Sequence, residues 1–451
     1  MKVIIVTAFS PRFNHIPSRR TEKLAKYLSR EVKTTIIGGM PDISENSAYF
    51  NKSADFGSAK LIEIKGRPFS KKFNVNTENS GKTIRKEKLI KKIKLNVGPF
   101  VELLVPISSG GAILYKMSDF INAINEEIEK SPHDEIILFT TYNPWFIIKV
   151  GYKVAKKNDI TWVVDFRDPP FNSPHQKTTY LPYFKRITSR SLHKADLITT
   201  VNKEIADSFK KLCKDDKKYL VLTNGFDPED LKKINELEGV CNKIQKKSMD
   251  DFWIVYTGRF YPGSGGDLEP FAEVISLLKK RKSSEYSRIK FVYAGNQSEY
   301  VRDVFDKFEI NDKLLDYGQV SHDISLFLQS QADLLLLISY TNKTNPSRGS
   351  GIITGKVFEY FMHSKPILVI GSNRWELKDE LLEDDRSAIF LANQKDEMID
   401  YITHLINYPV SKDKEYNDKL KRVRNAYSYE ALSQKLLKKL RELPSNKKNL
   451  F

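Results

Sequence analysis

Short, unbroken apolar runs alternate with longer segments whose apolar residues recur at helical spacing, and the alternation occurs twice along the chain. The first run, Lys2 to Thr7, precedes Leu24, Tyr27 and Leu28 at helical spacing, with Ser18 placed to act as an N-cap. Thr34 to Gly39, Glu135 to Thr140, Ile160 to Val164, Ala195 to Val201 and Tyr219 to Leu222 read as further strands. Runs of that length, apolar on both faces, suit a parallel sheet covered by helices. The helical patterns Trp145 to Lys156 and Ile205 to Leu212 supply such covers. After a charged stretch, Leu231 to Asp250, the rhythm restarts with Phe252 to Tyr256, a helix Leu268 to Lys280 behind Asp267 as cap, and strands at Ile289 to Ala294, Ala332 to Ile338, Ile367 to Ile370 and Ser387 to Leu391. A helix from Tyr429 to Leu440 closes the series. The pattern predicts an α/β protein of two Rossmann-like domains: 1–235, a linker 236–250, 251–415, and a C-terminal segment 416–451 with a basic tail.

The pattern loosens between Pro41 and Ser131. Lys82 to Lys94 interleaves lysines with Ile84, Leu89, Ile90 and Ile93, a basic amphipathic segment of the kind that lies on anionic lipid or covers a core with one face. The whole chain of 451 residues carries a net charge of +17 with 40% hydrophobic residues, so it is globular, and the charge points to an anionic partner, with a merely solvated basic surface as the alternative. No zinc-finger, RNA-recognition or helix-turn-helix pattern accompanies the lysines, which leaves phosphorylated small molecules or an anionic membrane surface. Two cysteines, Cys213 and Cys241, make no disulfide framework or metal spacing and suit a reducing cytoplasm. No signal peptide precedes the first strand and no run reaches the length of a membrane span.

Candidate chemistry concentrates at Gly355-Lys356-Val357-Phe358-Glu359-Tyr360-Phe361. On a short helix Lys356 and Glu359 share one face, so a carboxylate and an ammonium sit together where a parallel sheet opens. A ribose diol and a phosphate would suit such a pair; a surface ion pair is the alternative. Thr257-Gly258-Arg259, then Gly263 to Gly266 running into a helix, offers backbone N–H groups and a guanidinium to a diphosphate. The first strand lacks a G-x-G-x-x-G sequence, which argues against a dinucleotide dehydrogenase.

Lys356-Val357-Phe358-Glu359-Tyr360 followed by Lys365-Pro366-Ile367-Leu368 resembles the nucleotide-sugar signature of GT-B glycosyltransferases, specifically the retaining family 4 enzymes. The resemblance implies two Rossmann-like domains facing a cleft, with the last helix crossing back to the first domain. It implies that Glu359 binds the donor ribose, and that Arg259 and Lys356 stabilise the diphosphate leaving group without an essential metal or other cofactor. Gly258, Gly295, Val320, Gly355 and Tyr360 are the remaining donor-side candidates. Asp165-Phe166-Arg167-Asp168 resembles a sequence facing the intersubstrate cleft in a subset of the family. It makes Asp168 a catalytic candidate and Asp165 and Arg167 acceptor-side ones, alongside Arg19, Arg20 and Asn224; a local Asp165–Arg167 ion pair is the alternative. Three features depart from the family: Gly351 stands where many members carry a second glutamate, the catalytically relevant histidine that many relatives have near the Asp165 to Asp168 segment has no equivalent, and no lysine follows Arg259 closely. The implied activity is transfer of a sugar from a nucleoside diphosphate sugar to a hydroxyl of a lipid-linked or polysaccharide acceptor, in the cytoplasm or at the inner face of its membrane. A nucleotide-sugar epimerase and a non-catalytic nucleotide-sugar-binding scaffold remain open.

Overall fold

The structure, a computed structural model, describes residues 1–13, 16–47, 49–68, 113–168, 181–215, 218–237, 244–263, 266–339, 354–371, 376–408 and 414–444. The expected basic segment Lys82 to Lys94 lies outside them. The chain divides into two compact units, Met1–Asn224 with Tyr429–Phe451, and Gly225–Ser428.

The first unit holds an eight-stranded sheet. Its strands are β1 (Lys2–Thr7), β2 (Lys33–Pro41), β3 (Lys60–Pro68), β4 (Ile113–Leu114), β5 (Ile136–Tyr142), β6 (Thr161–Phe166), β7 (Leu197–Thr200) and β8 (Tyr219–Val221). They lie in the order β4-β3-β2-β1-β5-β6-β7-β8. Every pairing is parallel except β3 with the short β4. β1 and β5 through β7 are buried along their whole length, as their apolar runs require of strands covered on both faces. Ser18 does not cap the first helix: that helix spans Ile16–Leu28, so Ser18 lies inside its first turn and donates to the Phe13 carbonyl at 2.8 Å.

The second unit holds a six-stranded, all-parallel sheet of β9 (Phe252–Thr257), β10 (Ile289–Ala294), β11 (Leu314–Asp316), β12 (Leu334–Ile338), β13 (Ile367–Ile370) and β14 (Ala388–Phe390). The order is β11-β10-β9-β12-β13-β14. The chain winds outward from β9 in one direction and then from β12 in the other, so the carboxyl ends of these two neighbours form a topological switch point, where open α/β sheets bind ligands. One core layer packs Phe271, Ile275, Phe291 and Leu336; the other packs Trp253, Leu335, Phe358 and Phe361.

The division differs from the sequence expectation at both ends of the second unit. The helix Asp230–Leu237 packs with the helix His322–Ser330 and belongs to the second unit. Part of the expected linker, Ile244 to Asp250, is also tied down there: Lys247 pairs with Asp333 at 2.5 Å, and the Gln245 N–H donates to the Tyr317 hydroxyl at 3.1 Å. At the far end, Lys414–Asn425 stays with the second unit and the chain returns to the first at Tyr429. The helix Tyr429–Arg441 buries Leu432, Leu436, Leu437 and Leu440 in the cluster that holds Leu24 and Leu28. Asp267 is no cap either: Leu268 takes that position, and an Asp267 carboxylate oxygen accepts from the Gly263 N–H at 2.7 Å to close the turn.

Candidate functional site

In the second unit, β9 ends at Thr257 and the chain passes through Gly258 at φ +111°. Only glycine adopts that conformation without strain, and a Cβ there would meet the Lys356 Cε at 2.5 Å. Lys356 opens the helix Lys356–Met362 on the β12 side of the switch point and reaches across it. Its Nζ donates to the Tyr256 hydroxyl at 2.8 Å and to the Arg259 carbonyl at 3.2 Å, and lies 4.4 Å from the centre of the Tyr256 ring. Tyr256 in turn donates to the same carbonyl at 2.9 Å. Burial lowers the Lys356 ammonium to about 8, with Glu359 opposing the shift. A fixed, poorly hydrated cation beside the Arg259 backbone is suited to an anion. The Arg259 guanidinium itself lies 5.8 Å from the ring centre of Tyr261, which is exposed on the turn that Gly266 closes.

One turn along the helix, the half-buried Glu359 carboxylate accepts from the Gln329 side-chain amide at 3.3 Å and stands 4.0 Å from His322 Nδ1. His322 Nε2 is 3.9 Å from Asp230 on its other side. His322 begins its helix, with Ser321 as the N-cap accepting from the Ile324 N–H at 3.3 Å. Gly295 follows β10 against the Gly258 carbonyl, where an added Cβ would come within 2.2 Å of that oxygen. Its N–H donates to the Gly318 carbonyl at 2.8 Å, which fixes the turn that leads to the half-buried Val320. Gly355 is exposed ahead of Lys356. Tyr360 departs from its expected role: its ring is wholly buried and its hydroxyl donates to the Leu336 carbonyl at 3.0 Å, so the side chain anchors the helix from below.

The acceptor-side candidates belong to the first unit, at the carboxyl ends of its strands. Arg20 and Asp165, 145 positions apart, form a buried bidentate pair at 3.1 and 2.9 Å. Arg20 also donates to the Thr223 and Leu222 carbonyls at 2.6 and 2.8 Å and to the Asn224 side chain at 3.3 Å, while Thr199 donates to Asp165 at 2.7 Å. This network occupies Arg20 and Asp165 inside the fold, so neither side chain is placed to meet an acceptor. The alternative, a local ion pair of Asp165 with Arg167, gives way to it. Arg167 instead donates to the Tyr142 carbonyl at 3.2 Å and stands 3.6 Å from the exposed Asp168. Arg19 is exposed on the first helix. Sequence reasoning missed Gln329, Tyr256 and Tyr261; a lone glutamine in an apolar helix carries no motif.

Among the described residues, no helix is long and apolar enough to cross a membrane. Comparison with known proteins completes the description of the fold. No protein-family model and no curated protein sequence matches the chain. Solved structures match along its length. Sucrose-phosphate synthase from Thermosynechococcus elongatus matches at 12% identity and a TM-score of 0.58, over 98% of this chain and 99% of that one. The Anabaena protein HepE, in complex with UDP and glucose, matches at 12% identity and 0.57, over 98% and 100%. An E. coli structure described as trehalose-6-phosphate bound with UDP-2-fluoro glucose matches at 11% identity and 0.61, over 98% and 100%. These likenesses establish that the chain has the GT-B fold of two parallel-sheet units.

Proposed function

We propose that this protein transfers a sugar, with retention of configuration, from a nucleoside diphosphate sugar to a hydroxyl group. The observation that carries the reading is the reach of Lys356 across the switch point of the second unit, which puts an ammonium on the Arg259 carbonyl, with the Glu359 carboxylate one turn along the same helix. In this reading Glu359 accepts from the ribose diol, and Lys356 with the Arg259 side chain receives the diphosphate. As the glycosidic bond breaks, negative charge grows on the β-phosphate. Cations already in place there lower the barrier without reorganising, the task a metal performs in other architectures. Lys356 takes the place of the lysine missing after Arg259.

The neighbours whose descriptions name UDP or its sugars support a nucleotide-sugar donor. The basic composition supports a lipid-linked or polysaccharide acceptor near an anionic membrane, with Asp168 and Arg167 as the acceptor-side candidates on the first unit. Thermal unfolding with UDP, GDP and ADP, and with their sugars, tests the donor site: a ligand at about 100 times its Kd stabilises by about 2.7 kcal/mol. One nucleotide is expected to shift the transition, and Glu359→Ala to abolish most of the shift. An unchanged shift in that variant removes Glu359 from the donor site.

A further inference from the structure

Beneath Glu359 lies a polar group with no place in an apolar core unless it serves one. Gln329 is fully buried on the helix His322–Ser330, among Leu326, Phe327 and Leu328. Its Nε2 faces three acceptors: the Thr257 hydroxyl at 2.9 Å, the Glu359 carboxylate at 3.3 Å and the Ser325 hydroxyl at 3.5 Å. Its Oε1 is buried with no partner. The orientation of the amide follows from chemistry, because a carboxylate only accepts and the NH2 must therefore face Glu359. Leaving Oε1 unsatisfied costs stability, and a leucine would fill the site without that cost.

The contacts explain what the cost sustains. Thr257 is the last residue of β9, directly before Gly258 and Arg259. Next to Glu359 on the same helix, Tyr360 donates its hydroxyl to the Leu336 carbonyl of β12, the strand beside β9. Gln329 therefore links the carboxylate to the strand end that carries the phosphate-side groups, and it does so from under the sheet opening. An unheld glutamate samples several rotamers; with Oε2 on a buried donor, Glu359 keeps Oε1 on the side of His322, 4.0 Å from its Nδ1.

We infer that Gln329 is a positioning residue for the ribose carboxylate, fixing Glu359 against the phosphate-binding end of β9. The inference rests on the donor-site reading above. The test uses whichever of UDP, GDP or ADP binds the full-length protein, together with its 2′,3′-dideoxy form, by calorimetry. Wild type is expected to prefer the ribonucleotide. Gln329→Met, which keeps the volume, should lower that preference about tenfold, as expected for loss of one hydrogen bond to a charged group, while leaving the dideoxy affinity in place. Gln329→Leu, apolar and close in volume, should do the same should the methionine variant fold poorly. Adding either change to Glu359→Ala should have no further effect on the preference. Equal loss of affinity for both nucleotides, or full additivity with Glu359→Ala, overturns the inference in favour of a merely structural glutamine. A wild type that binds no nucleotide, or binds both forms equally, removes instead the donor-site reading itself.

Discussion

Replacing Lys356 by methionine separates its chemistry from its contribution to the fold, because the two change in opposite directions. Burial lowers the ammonium from 10.5 to about 8, so the unfolded chain holds its proton more tightly than the native one. The cost of keeping it charged is fully present below pH 8 and disappears as pH rises from about 8 through 10.5. A shift of that size corresponds to at most about 3–4 kcal/mol. The hydrogen bonds to Tyr256 and Arg259 and the contact with the Tyr256 ring return part of it, leaving a net cost on the order of 1 kcal/mol. Lys356→Met is therefore expected to unfold at a higher temperature than wild type at pH 7, with the gap closing toward pH 10. Nucleotide binding should move the other way. Loss of a charge-assisted contact to a phosphate weakens binding by about 1.5–3 kcal/mol, or about ten- to a hundredfold in Kd. Wild-type affinity should itself fall as pH rises above about 8, and the variant should lack that dependence. Calorimetric titration of UDP, GDP and ADP at pH 6.5 and 9.5, beside thermal unfolding, reads both. A variant that binds with wild-type affinity and an unchanged pH profile refutes the reasoning.

Three further outcomes are expected. Arg20→Met strands the buried Asp165 carboxylate and should destabilise the first unit by about 3–5 kcal/mol, measured by urea unfolding of the full chain; a loss below about 1 kcal/mol would show that water or another cation takes over. Glu127 accepts from Lys2 at 2.9 Å and Lys60 at 2.6 Å, and although burial opposes ionisation these lysines hold its carboxyl down at about 2. Its stabilisation is whole above pH 4.5 and is lost as pH falls toward 2; because Lys60 is half exposed the loss is about 1–2 kcal/mol, and a pH series of melting temperatures should flatten in Glu127→Gln. His363 is buried with Nε2 unpartnered, and burial, reinforced by Lys365 and Arg424, depresses it to about 3. The unfolded chain then binds the extra proton below pH 6.5, so stability should decline from pH 6.5 toward 3, and His363→Phe should remove that component of the decline.

Much of this protein was legible in one dimension. Apolar runs of strand length located eleven of the fourteen described strands within two residues, because burial on both faces of a parallel sheet is written directly into local composition, whereas β3, β4 and β11 carry no such run and went unread. The Lys356 and Glu359 pair was visible for the same reason: residues three apart share a helix face whatever surrounds them. Gly258 was visible as a glycine, but only the positive φ and the approach of Lys356 explain it.

What the tertiary structure decided was partnership. Arg20 and Arg167 look alike in the chain, yet Arg20 is buried on an aspartate 145 positions away while Arg167 stays near its own loop and Asp168. Tyr360, adjacent to Glu359, points into the core, since neighbouring residues on a helix face about 100° apart. Gln329 came under Glu359 only when β9 and β12 were laid side by side. Hydrophobic periodicity is a local property and survives in sequence. The partner of a buried polar group is chosen by strand order and register, which bring distant residues within 3 Å and leave no periodic trace.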